Sequence, residues 1–97
     1  MNNYPIINMR ATGSRIRDLR RERKMKIDDI VEYMGFESQQ AIYKWQRGES
    51  LPTVENLYAL SRLFGTTVDD ILVEYGEEQS SPDGEMNGFE MYGYFVA

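Results

Sequence analysis

Three glycines, at positions 35, 48 and 65, cut the middle of this 97-residue chain into short segments, and that punctuation limits the possible folds more than any other feature. Between them apolar residues recur every three or four positions, the period of one helical face. Ile27, Ile30, Val31 and Met34 form such a set before Gly35. Ala41, Ile42 and Trp45 do so before Gly48, and Leu57, Leu60, Ser61 and Phe64 before Gly65. A glycine directly after a periodic run ends a helix, because it takes the left-handed conformation at low steric cost. Helices this short bury their apolar stripes only against one another, so the chain reads as an all-α bundle.

Cap residues complete the count at five helices. Thr12 is expected to cap a first helix running to about Lys24, with Ile16, Leu19 and Arg20 turned inward. Ile27–Met34 is the second. Ser38 opens a third, Gln39 to Arg47, and Thr53, after Pro52, caps a fourth. The run Thr67-Val68-Asp69-Asp70 has the form of a capping box and predicts a fifth helix over Val68–Tyr75. Residues 1–11 read as a leader, since Pro5 disfavours helix at Tyr4. Residues 12–75 read as the folded domain. The stretch GEEQSSPDGEMNG, residues 76–88, reads as an acidic flexible linker, followed by the aromatic tail FEMYGYFVA.

The net charge of −5 hides an asymmetry. Residues 1–52 hold ten Lys/Arg against seven Asp/Glu, whereas residues 53–97 hold only Arg62 against nine Asp/Glu. A basic front half can meet phosphate while an acidic back half keeps the chain soluble. The chain has neither cysteine nor histidine. It shows no glycine-rich phosphate loop and no nucleophile–base set, so an enzyme, a metal site or a cofactor is not expected. No apolar run approaches the roughly 20 residues a membrane span needs, and a cytoplasmic location is expected.

Two short helices joined through Met34-Gly35-Phe36-Glu37-Ser38, the second of them polar on its outer face, describe a helix-turn-helix. The outward set of that second helix is Gln39, Gln40, Tyr43, Lys44 and Arg47. Glutamine amides match the donor and acceptor edge of adenine, and Lys or Arg reaches guanine or phosphate. Gln39, Gln40 and Lys44 are therefore the expected base readers. Tyr43 fits either a base contact or packing at the domain edge. Ser38, Arg47 and Ser50 flank this helix and are expected to contact phosphate, with Arg15 and Arg17 near the start of the first helix. Trp45 falls on the buried side.

These residues also carry a family resemblance. From about Gly13 to Val73 the chain resembles the XRE family, the lambdoid-repressor and Cro-like helix-turn-helix proteins. GSRIRDLRRER resembles the family's first helix, and Ser38-Gln39-Gln40-Ala41-Ile42-Tyr43-Lys44-Trp45 its recognition helix. The run from Ile42 to Pro52 is similar to the end of that helix and its following loop, and LYALSRLFGTTVDDIL to the last two helices. The resemblance implies a lambda repressor-like DNA-binding domain whose paired glutamines contact bases. The chain departs from the family in four places. Lys26 and Ile27 stand where a Ser or Thr cap and a phosphate-binding Gln are usual, which makes Lys26 the substitute phosphate contact. The turn carries one extra residue around Glu37, and Glu37 adds a carboxylate beside the groove. Arg20 faces Gln46 where the family has a Glu.

Taken together, the sequence predicts a DNA-binding transcriptional regulator, a repressor bound to a palindromic operator as a homodimer. One recognition helix reads too few base pairs to be selective, and two-fold pairing doubles the site. The alternative is an antitoxin-like interaction protein whose C-terminal tail wraps a protein partner.

Overall fold

The computed structural model describes residues 4–76; the expected linker and aromatic tail lie outside the described residues. Five helices follow in order: α1 (Met9–Glu22), α2 (Ile27–Met34), α3 (Gln40–Arg47), α4 (Val54–Phe64) and α5 (Val68–Ile71). Their inward stripes meet in one core of Ile16, Leu19, Ile27, Ile30, Ile42, Trp45, Leu57, Leu60, Phe64 and Ile71. Every helix contributes, and Ile16, Ile30, Ile42, Leu60 and Ile71 are wholly buried.

The expected terminations of α2, α3 and α4 hold. Gly35, Gly48 and Gly65 each take a positive φ, of 76°, 77° and 69°. The Thr53 hydroxyl accepts from the Asn56 amide, and the Thr67 hydroxyl from the Asp70 amide.

Both ends of the bundle differ from expectation. The first helix begins at Met9, not after Thr12, and Asn8 is its cap, accepting from the Ala11 amide at 3.0 Å. Thr12 lies inside α1 and is fully buried. Its hydroxyl accepts from the Val73 amide at 2.9 Å and donates to the Val73 carbonyl at 3.4 Å, so it clasps the backbone just after α5. The fifth helix stops at Ile71 rather than Tyr75. Leu72 turns extended, and residues 73–75 pair antiparallel with residues 6–8 through the Asn8 amide to the Val73 carbonyl and the Tyr75 amide to the Ile6 carbonyl. The amides of Val73 and Tyr75 thus bond Thr12 and Ile6 in place of helical carbonyls, and tie the end of the expected leader into the domain.

α1 lies across α3 with unusual intimacy. A side chain at Gly13 would place its first carbon 2.1 Å from the Trp45 carbonyl oxygen, and one at Gly48 2.7 Å from the Arg10 α-carbon. Only glycine permits backbone to approach backbone this closely. The pairing holds the C-terminal end of α3 against α1.

Candidate nucleic-acid interface

The turn between α2 and α3 is set by local bonds. Gly35 closes α2, and the Phe36 amide reaches back to the Val31 carbonyl at 3.1 Å. Such a bond satisfies a carbonyl left over at the helix end. The Phe36 ring then meets Trp45 edge-on, with centroids 5.9 Å apart and planes at 70°. This contact anchors the turn to the core. Glu37–Gln39 bend without joining α3, which starts at Gln40 rather than Gln39. The Ser38 hydroxyl accepts from the Gln40 amide at 3.3 Å.

From that start α3 presents two faces. Ile42 and Trp45 are buried, while Gln40, Tyr43, Lys44 and Arg47 are exposed, Tyr43 at 40%. A helix polar on its outer side and anchored by one Ile and one Trp is held rigidly without spending its outer residues on the fold. Gln39 departs from the expected outward set. It is half-buried at the head of α3, and its side-chain amide donates to the Asp28 carboxylate on α2.

The cations sort into free and engaged. Lys26 caps α2 and is exposed; Asp29 accepts from its backbone amide at 2.7 Å. Arg47 is exposed but meets Glu49 through two bonds, of 2.6 and 3.3 Å. That bonding raises the Arg47 pKa and lowers that of Glu49, in each case chiefly through the side-chain hydrogen bond. Ser50 follows in the same loop, half-buried. Arg15 turns toward α5 and donates to the Asp70 carbonyl, apart from the α3 residues. Arg17 packs along α1 with its Nε shut from solvent, 3.9 Å from Asp18. Arg20 bonds Gln46 at 3.1 Å and the Met25 carbonyl at 2.9 Å, so the neutral Gln46 keeps α1 and α3 linked.

Two residues escaped the reading of the sequence. Arg10 was placed in the leader, yet it is an exposed cation on α1 beside Gly48, at the C-terminal end of α3. Asp28 was assigned no role, and its bond to Gln39 crosses between α2 and α3. Among the described residues no helix is long and apolar enough to cross a membrane, and no cluster of three or more acidic residues could hold a metal ion.

Two short helices joined by a glycine turn, the second anchored from behind and polar in front, define a helix-turn-helix DNA-binding domain of the lambda repressor-like kind. The chain belongs to the XRE-type helix-turn-helix family, whose profile, described as "Helix-turn-helix", matches residues 16–71. It is similar to the P22 c2 repressor, solved in complex with a synthetic operator. There the identity is 36%, the match covers 63% of this chain and 91% of that one, and the TM-score is 0.58. It shares its fold with the restriction-modification controller protein C.AhdI from Aeromonas hydrophila at 16% identity, covering 65% and 94%, with a TM-score of 0.59. The fold also matches part of hydroxypropylphosphonic acid epoxidase from S. wedmorenis, at 18% identity, covering 68% of this chain but 35% of that one, with a TM-score of 0.62. No curated protein sequence matches the chain. At the level of class, the chain is a DNA-binding regulator.

Proposed function

We propose that this protein is a transcriptional repressor that binds a palindromic operator as a homodimer, with α3 of each copy in the major groove. The observation that carries this reading is the face of α3, where Gln40, Tyr43, Lys44 and Arg47 are exposed directly behind the buried Ile42 and Trp45. Gln39, Gln40 and Lys44 read base edges, and Tyr43, exposed on the same face, meets a thymine methyl or the strand beside it. Lys26, Ser38, Arg47 and Ser50 hold phosphates on either side, and Arg10 joins them at the α3 C-terminus. Arg15 and Arg17 contribute only after giving up their present surroundings. The similarity to a repressor solved on its operator supports the same docking, and two-fold pairing supplies the selectivity one helix lacks. We take the DNA-binding unit to include residues 6–8 as well as the 12–75 stretch, a reading supported by their pairing with residues 73–75.

Selection of bound sequences from a random duplex pool, with the mass of the complex measured, tests the proposal. A symmetric site bound by two copies is the expected result. Gln40→Ala is expected to lose about 1–3 kcal/mol at particular base pairs. An equal loss on every sequence, or no preferred sequence for the unaltered chain, overturns it.

A further inference from the structure

We infer that Asp28 is a specificity-determining positioning residue, which fixes the orientation of the Gln39 amide and so decides what Gln39 presents to a base. The inference rests on the reading of α3 as the base-contacting helix. Asp28 lies in the first turn of α2 and is exposed, and its carboxylate accepts from Gln39 Nε2 at the head of α3. A glutamine amide can turn over about its last bond, exchanging an acceptor oxygen for a two-proton donor. The two orientations offer a base edge opposite patterns. An ionised carboxylate only accepts, so the turned-over amide would set oxygen against oxygen. Asp28 therefore admits one orientation. In it the remaining Nε2 proton and Oε1 are left for a partner, the pair that matches N7 and N6–H of adenine. Half-burial of Gln39 narrows its freedom further.

The same carboxylate carries a cost, because it adds a negative charge next to a helix intended for a polyanion. Its other local role, as a carboxylate in the first turn of α2, is shared with Asp29. The reciprocal cap of α2 is made by Asp29, not by Asp28. A residue that weakens general DNA binding while sharpening one contact should betray itself by effects of opposite sign, which a merely structural residue would not produce.

The test uses the full 97-residue chain and its Asp28→Ala, Asp28→Asn and Gln39→Ala variants. Each is profiled on a random duplex pool and titrated on a duplex lacking the selected site. Gln39→Ala identifies the base pair that Gln39 reads. Asp28→Ala is expected to lose about tenfold in discrimination at that base pair alone, while binding the non-specific duplex more tightly. Asp28→Asn retains an acceptor oxygen for Nε2, so it is expected to restore part of the discrimination and keep the non-specific gain. Unchanged preference at the Gln39-dependent base pair in Asp28→Ala overturns the inference and leaves the reading of α3 standing. Equal weakening on all duplexes, or an Asn variant no better than Ala, also overturns it. If Gln39→Ala alters no base preference, base reading by Gln39 itself fails and the inference falls with it. Should the Ala variant fail to fold, the Asn variant measured against the unaltered chain decides.

Discussion

Single side chains at the edge of α3 are divided between those left free for the proposed contacts to DNA and those already engaged within the protein. Arg47 points into solvent, yet its guanidinium already has a carboxylate in Glu49. To grip a phosphate, as proposed, it must trade one anion for another, so the pair is expected to damp non-specific binding. Glu49→Gln is expected to raise affinity for all sequences alike and to steepen the salt dependence by about one counterion. Binding titrations across a salt series check this, and a gain restricted to one sequence would contradict it. A second carboxylate reports on the fold itself. The Thr66 hydroxyl, then the Thr67 hydroxyl and amide, bond Asp70 and hold its pKa below the ordinary aspartate value of 3.8. A pKa depressed by folding means stability that is present above the ordinary value and lost as the pH falls through the folded one. The α4–α5 corner is therefore expected to loosen progressively as acid carries the pH through the ordinary aspartate range and below it. Thermal unfolding followed by circular dichroism should show an acid-induced loss that Asp70→Asn lacks, and parallel curves for the two proteins would refute the assignment.

Among elements, the crossing of α1 over α3 sets where the recognition helix stands. An alanine at Gly13 meets the Trp45 and Gln46 carbonyl oxygens at 2.1 and 2.8 Å, and backbone cannot swing aside as a side chain does. Gly13→Ala is expected to cost about 1–3 kcal/mol, the usual penalty of overpacking, and to shift α3. Gly65→Ala is the control. It meets no atom within 4 Å and bears only the strain of a φ of 69°, about 1 kcal/mol. Urea denaturation of both variants measures the difference, and equal losses would mean the close approach is unimportant.

The same comparison shows which elements the sequence discloses. α2, the end of α3 and all of α4 were legible because each rests on local signals: an apolar period and a terminal glycine, joined at α4 by a hydroxyl cap. Thr12 misled for an instructive reason. A threonine ahead of Ile16 looks like a cap, but its hydroxyl is spent on Val73, 61 positions away. Asn8, the true cap, follows Pro5 and an aperiodic stretch that hides it. The shortening of α5 has the same origin, since residues 73–75 gain partners in residues 6–8 that no local pattern announces. Most of the outer face of α3 was legible from its period. The Asp28–Gln39 bond was not, because it depends on how two helices meet.

For the whole molecule, charge is separated along the chain rather than balanced locally. Residues 77–97 hold five carboxylates and no Lys or Arg, which equals the entire net charge of −5; residues 1–76 are neutral overall. The cations proposed to face DNA all lie in the first 52 residues, so the five carboxylates of residues 77–97 are expected to oppose their attraction to DNA. Ending the chain after Gly76 is expected to strengthen non-specific duplex binding by about tenfold at low salt, with the advantage shrinking as salt screens it. Sequence preference should stay the same, because no base-reading residue is removed. Titration of both proteins on one duplex at about 50 and 200 mM salt separates the possibilities. A gain that persists undiminished at the higher salt would point to steric obstruction by the removed residues, and no gain at either salt would show that their charge does not reach the recognition face.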